Sequence, residues 1–147
     1  SPVIYFDCLE NLWRKPCRYM QVPYYNIHKI MQGLLDQHLL LGNAQAFDIV
    51  EKMAAYFYRR ITHLIQVNGT QVSEQVLHTE TGGTNDVLHQ MYTLTNKTEH
   101  LTMAHLFDKQ SWFAPIINGT DILANHHANT HLALTVGGAQ VVYCMRR

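Results

Sequence analysis

Three short polar segments carry the residues best suited to chemistry: 24–29, 80–86 and 125–131. Each of them follows an irregular stretch and opens a helical pattern. If alternate helices of a stacked structure run in the same direction, these three helix starts lie at one mouth of the fold. The side chains that we expect to meet there are those of Tyr25, His28, Glu80, Asn85, His127 and Asn129. Such a set hydrogen-bonds several hydroxyl groups at once, so it favours a sugar over a phosphate or an apolar ligand.

The carboxylates and the first histidine each have a second interpretation. Glu80 and Asp86 are the one carboxylate pair placed for glycoside acid–base chemistry, which requires a separation of about 5 Å or about 6.5–9.5 Å. Helix capping and solvation would explain the same two residues. His28 is equally typical of a hydrogen-bonded histidine in a core.

The other histidines give a weaker signal. His127 and His131 are four residues apart, a spacing that can hold zinc on one helical face. No glutamate follows His127, so the HExxH metalloprotease pattern is absent. His89 and His105 are interpreted as surface or packing residues.

Composition limits the classes of protein to consider. The chain has 147 residues, enough for one domain, and only 15% of them are charged against about 25% in ordinary domains. Eleven basic residues balance eleven acidic ones, which argues against a nucleic-acid partner. No apolar run reaches the roughly 18 residues of a membrane span. Three sequons, at Asn68, Asn96 and Asn118, favour secretion weakly.

The apolar pattern predicts an all-α protein. Helices are expected from residue 26 to 41, 44 to 66, 85 to 94 and 98 to 107, with Gly42-Asn43 separating the first two. Thr84 is expected to be the N-cap of the third helix, with Asp86 in its first turn. Residues 108–126 are predicted to be a long connection. A last helix is expected from 128 to about 136, where Gly137-Gly138 weakens or ends it.

Two further segments carry weaker predictions. Residues 1–24 are expected to be irregular, with a short helix near residues 9–13, and a short strand is considered at 75–78. A shift of 54 residues aligns Leu34 with Leu88 and Phe47 with Leu101. The sequence therefore predicts an αα-hairpin used twice, and such units must stack on neighbours to bury their apolar faces. The fold class that we predict is stacked αα-hairpins forming part of an α/α toroid.

The same polar segments resemble a known family in order and spacing. They are YYxIHKIxxGLLD from residue 24, ETGGxNDVL from residue 80, AHLFDK from residue 104 and HANTH from residue 127. The chain is similar to the β-L-arabinofuranosidase family, glycoside hydrolase family 127, most of all to its plant-type members. The resemblance covers roughly residues 20–143, and residues 1–19 and the last four do not fit it.

The resemblance implies an (α/α)6 barrel that hydrolyses L-arabinofuranosyl glycans, with zinc bound near a nucleophilic cysteine. It implies sugar contacts for His28 and His127, and it places Glu80 and Asn85 in a second substrate-side loop. Our predicted substrate-binding residues are accordingly His28, Glu80, Asn85, His127 and Asn129.

No residue of this chain is predicted to be catalytic or to bind a metal. The family's zinc ligands lie in a Glu-x-Cys segment and a Cys pair, and Cys8, Cys17 and Cys144 match neither. We therefore expect a partial catalytic domain that is inactive alone and associates with itself through exposed helix faces. A truncated carbohydrate-binding module and an unrelated helical-repeat interaction protein are the alternatives.

Overall fold

The computed structural model describes Phe6, residues 22–71 and residues 80–145, and within these ranges the chain is helical with no strand. The predicted helix near residues 9–13 and the strand considered at 75–78 lie outside the described residues. The helices are α1 (Pro23–Leu41), α2 (Ala44–Asn68), α3 (Thr84–Thr95), α4 (Thr98–Phe107), α5 (Gln110–Ile117) and α6 (Ala128–Met145). No helix in the described part of the chain is both long and apolar enough to cross a membrane.

The first hairpin, α1–α2, forms as the sequence predicts. Pro23 opens α1, where its missing N–H costs no hydrogen bond. Gly42 ends α1 with a left-handed φ of 67°, and its N–H donates to the carbonyl of His38. The side chain of Asn43 then accepts the backbone N–H of Ala46 and so caps α2. Two residues thus end one helix and begin the next.

The second hairpin, α3–α4, differs from the prediction at its start. Gly83 occupies the N-cap position, and Thr84 is the first helical residue. The Thr84 hydroxyl donates to the carbonyl of Thr81 at 2.6 Å instead of accepting a helix N–H. Asp86 lies in the first turn as expected, and Asn96 ends α3 with φ 55°.

Two predictions for the C-terminal part of the chain are wrong. Residues 108–126 contain α5, although Pro115 lies within it and lacks the N–H of an internal helical residue. Burial of Trp112, which is 4% exposed, supplies apolar stabilisation that the local sequence does not signal. Helix α6 runs through Gly137-Gly138 without a break. Both glycines are sites of close contact with neighbouring side chains.

The packing places α3 at the centre of the structure. It contacts α1, α4 and α6, while α2 packs against α1 and α4. The two hairpins therefore lie side by side, as the repeat predicts. The core between them includes the fully buried Leu35 of α1 and Leu88 of α3. Aromatic contacts extend it, with the Tyr24 ring 5.3 Å from that of Phe107 and 6.0 Å from that of Phe57.

The contact between α3 and α6 requires a residue without a side chain. A Cβ on Gly137 would overlap the amide group of Asn85, and a Cβ on Gly138 would lie 2.6 Å from the Phe113 ring. Gly33, by contrast, lies on an exposed part of α1, where an added Cβ would meet no atom within 4 Å.

We expect Gly137→Ala and Gly33→Ala to have opposite effects on stability. Gly137→Ala should lower the free energy of unfolding by about 1–3 kcal/mol, because the methyl group overpacks a buried contact. Gly33→Ala should raise it by about 0.5–1 kcal/mol, because alanine loses less backbone entropy in a helix. Urea denaturation followed by circular dichroism measures both values. A Gly137→Ala variant as stable as the parent chain would contradict the packing of Asn85 on α6.

Candidate functional site

Residues 80–83 form the point where α1, α3 and α6 meet. A Cβ on Gly82 would lie 2.5 Å from Nδ1 of His28, and one on Gly83 would lie 2.9 Å from Nε2 of the same ring. The same Cβ on Gly83 would lie 3.5 Å from the carbonyl oxygen of Ala133 in α6. Gly82 has φ 57°, a conformation that glycine adopts without strain. The loop therefore needs both glycines, and through them the N-terminal parts of α1 and α6 flank the start of α3.

His28 is an uncharged hydrogen-bonding group at this junction. Its side chain is 7% exposed. Desolvation by burial, aided by the nearby Lys29 ammonium, lowers the pKa of His28 to about 4. Its Nδ1 is buried and has no hydrogen-bond partner among the described residues. A neutral imidazole offers one donor and one acceptor, which is what a sugar hydroxyl can use.

Asn85 is fully buried between α4 and α6. Its Nδ2 donates to Oδ1 of Asp108 at 3.1 Å and to the carbonyl oxygen of Leu134 at 3.3 Å. Its Oδ1 has no hydrogen-bond partner within the described part of the chain. The amide nitrogen of Asn85 thus joins helices, and the amide oxygen is buried against Gly137 of α6.

Glu80 and Asp86 have different charged neighbours. Glu80 lies near Lys109, whose pKa is lowered by burial and held up by the Glu80 carboxylate. The pKa of Asp86 is raised by burial, while a hydrogen bond with Gln90 opposes that shift and the Asp36 carboxylate adds to it. The two carboxyl groups therefore belong to separate electrostatic environments, one beside the start of α5 and one facing α1.

His127 and Asn129 are exposed at the start of α6. His127 lies six residues before Ala133, which corresponds to about 9 Å along a helix. The carbonyl of His127 accepts a hydrogen bond from Nδ1 of His131 at 3.1 Å. Ala133 of α6 thus lies near Gly83, whereas His127 and Asn129, closer to the N-terminus of the helix, are exposed to solvent.

A cavity of about 630 Å³ lies beside this end of α6. It is bounded by α5, α6 and the connection between them, and its wall is mostly apolar, with Ile116 and Leu132 among its residues. The Trp112 ring lies 4.0 Å from that of His131 and 5.3 Å from that of His126. The polar segment 125–131 contains both of these histidines. No sequence signal identifies Trp112, because the Gly, Pro and Asn residues of 108–126 are typical of a connection.

The Asp108 carboxylate accepts hydrogen bonds from three side chains. Its Oδ2 accepts hydrogen bonds from Nε2 of His89 at 3.2 Å and from Nδ1 of His105 at 3.0 Å, while Asn85 donates to Oδ1. Burial raises the pKa of Asp108, but the hydrogen bonds from His89, Asn85 and His105 outweigh it, so the pKa lies below its usual value. Asp108 is a buried carboxylate that stays ionised at neutral pH.

This cluster of side chains is not predicted from the sequence. Asp108 belongs to the AHLFDK segment, and His89 and His105 are predicted to be surface or packing residues. A signal is present, since His105 and Asp108 are three residues apart and His89 is one helical turn after Asn85. Only the packing of α3 against α4 brings the two pairs together.

The zinc centre that the resemblance implies does not fit the residues present. That centre uses thiolates and a glutamate, and the 147 residues contain neither a Glu-x-Cys segment nor a Cys pair. The one described group that could hold a metal ion in the structure is instead His89, His105 and Asp108.

The described residues form antiparallel helical hairpins packed side by side, so the protein belongs to the all-α class. A glycine loop and a neutral histidine lie at one end of these hairpins. The family model of the β-L-arabinofuranosidase catalytic domain of glycoside hydrolase family 127 matches residues 7–147. The chain therefore belongs to this family. The match includes residues 7–19 and 144–147, so the prediction that these residues do not fit the family is wrong. No curated protein matches the chain.

The lowered pKa of His28 predicts a loss of stability in mild acid. The unfolded chain binds a proton at His28 near pH 6.5, whereas the folded chain binds it only near pH 4. The free energy of unfolding should therefore fall as the pH decreases from about 6.5 to 4, with His28 contributing on the order of 2 kcal/mol.

Denaturation at pH 7 and pH 4.5 tests this dependence. His28→Gln should reduce the difference between the two pH values, because glutamine does not titrate. His63→Gln, an exposed position on α2, serves as the control and should leave the difference unchanged. A His28 ring that titrates near pH 6.5 by NMR in the folded protein would contradict the burial argument.

Asp108→Asn should destabilise the fold by about 2–4 kcal/mol, because the new amide group cannot accept hydrogen bonds at both of its former oxygen positions. Asp48→Asn is the matched control. Asp48 is exposed and pairs with Lys52 on the same helix, a type of contact worth less than about 0.5 kcal/mol. Thermal and urea denaturation measure the stability of both variants. Equal losses of stability would show that the buried hydrogen bonds of Asp108 do not stabilise the fold.

Proposed function

We propose that this chain forms part of a glycoside hydrolase catalytic domain and contributes one wall of its sugar-binding pocket. The observation that carries the proposal is the contact of the Gly82-Gly83 loop with both His28 and the Ala133 carbonyl. Because the loop touches α1 and α6 within their first two turns, polar residues from three separate segments gather at one end of the hairpins. Such a junction is where stacked αα-hairpins of an (α/α)6 barrel would hold a ligand.

The chemistry of this end suits a neutral polyhydroxy ligand. His28 is uncharged at neutral pH, and its Nδ1, which has no partner among the described residues, faces the loop. Glu80 is partly exposed two residues before Gly82, and His127 and Asn129 are exposed at the start of α6. Together with Asn85 these groups are the proposed substrate contacts. The family supports an L-arabinofuranosyl group as the sugar.

Bond cleavage requires groups that this chain does not supply. The resemblance places the nucleophilic cysteine and the zinc ligands in segments that these 147 residues do not contain. Glu80 and Asp86 lie in separate electrostatic environments, one near Lys109 and the other near Asp36. We therefore propose that the chain binds sugar but needs further residues for hydrolysis.

Exposed apolar side chains on α6 support an association surface. Leu132, Val136 and Val142 are 65%, 58% and 51% exposed. Leu132 and Val136 are four residues apart and share one face of the helix, and Val142 lies about two turns further along. We propose that this side packs against further helices of the domain or, in their absence, against a second copy of the chain.

Titration with L-arabinose by calorimetry tests the sugar pocket. We expect binding in the millimolar range that His28→Ala and His127→Ala each weaken at least tenfold, since each removes a hydrogen-bonding imidazole. His63→Ala, which removes an exposed histidine far along α2, should bind as the parent does. His28→Gln provides a second variant if the alanine is unstable.

Two results would contradict the proposal. Absence of any heat at tens of millimolar sugar would reject the pocket. Hydrolysis of p-nitrophenyl β-L-arabinofuranoside by the purified chain would reject the need for further residues.

A further inference from the structure

We propose that His89, His105 and Asp108 form a binding site for one divalent transition metal ion of the zinc class, at the junction of α3 and α4. Each of the three residues offers one ligand atom, and these atoms all lie within 4.8 Å of one another. Two imidazoles and a carboxylate are a common three-residue zinc set, with a fourth position left for water. The site contains no cysteine, so it is distinct from the thiolate centre that the family resemblance implies.

The distances are close to those of a tetrahedral zinc site. Bonds of about 2.0–2.1 Å at tetrahedral angles place neighbouring ligand atoms roughly 3.3 Å apart. The Asp108 oxygen is already 3.2 Å from the His89 nitrogen and 3.0 Å from the His105 nitrogen. The two imidazole rings, with centroids 5.4 Å apart and planes at 72°, are not stacked on one another.

The surrounding protein orients the carboxylate as a metal ligand requires. Asn85 donates to Oδ1 of Asp108, which leaves Oδ2 directed at both histidines. The backbone N–H of Asp108 is held by the carbonyls of Ala104 and His105 at the end of α4. Hydrogen bonds of this kind fix the orientation of ligands in metal sites and increase their affinity.

Charge and access also suit a cation. The Asp108 carboxylate accepts hydrogen bonds from Asn85, His89 and His105, so it presents its oxygens as electron-pair donors to a cation. Metal binding uses the lone pair on the nitrogen that now donates to Asp108. In a ring that carries one proton, that proton moves to the other nitrogen of the same ring, so no proton is released. His89 is fully buried, whereas the side chain of His105 is 44% exposed and gives an ion a path from solvent. Nitrogen ligands select zinc, cobalt or nickel over magnesium and calcium.

Zinc titration of the metal-free chain, without sugar, tests the site independently of the proposed sugar pocket. After dialysis against a chelator and its removal, calorimetry should show one equivalent of zinc that is lost in His105→Ala. His105 is partly exposed, so this variant should fold, which circular dichroism can check. Zinc should also raise the melting temperature of the parent by several degrees, because it binds the folded state preferentially. Magnesium should do neither.

His127→Ala is the matched control, since it disrupts the other histidine pair at a metal spacing. It should retain the equivalent of zinc that His105→Ala loses. Zinc binding that persists in His105→Ala, or that disappears in His127→Ala, would overturn the proposal. Absence of binding at 1 mM zinc, a concentration chosen at roughly a thousand times a micromolar dissociation constant, would overturn it as well.

Discussion

The position of α3 depends on close contact at glycines on either side of it. Gly82 and Gly83 let the loop before α3 lie against the ring of His28, and Gly137 lets α6 approach the amide of Asn85. Protein interiors are packed to crystal-like density, so even a single methyl group at such a contact is felt. These contacts bring His28 of α1 and the Ala133 carbonyl of α6 to the same glycine loop before α3. The burial of His28 against the loop follows from this arrangement of the backbone.

A buried carboxylate complements these steric contacts. Removing Asp108 from water is unfavourable, and donors from Asn85, His89 and His105 offset that cost. Since Asn85 also donates to the carbonyl of Leu134 in α6, the network links the second hairpin to the last helix. A site that binds a ligand has to be held in place by residues behind it. Asp108 does this for the end of α3 that carries the glycine loop.

The local pattern of apolar residues is enough to predict most helices. The predicted bounds of α4 agree with the structure to the residue, and Gly42-Asn43 separates α1 from α2 as expected. The errors occur where tertiary contacts override local preference. Pro115 and the surrounding polar residues indicate a loop, yet burial of Trp112 stabilises a helix there. Gly137-Gly138 would weaken an isolated helix, yet the same residues make its closest contact possible.

The sequence by itself determined that the protein is built of helical hairpins and that His28, Glu80, Asn85, His127 and Asn129 open or precede helices. Periodicity and motif order are local properties, so they can be read without knowing what packs against what. Only the tertiary structure decided that His28 is buried and uncharged and that Asp108 lies between two histidines. Burial and side-chain pairing are set by residues distant along the chain, and no local pattern contains that information.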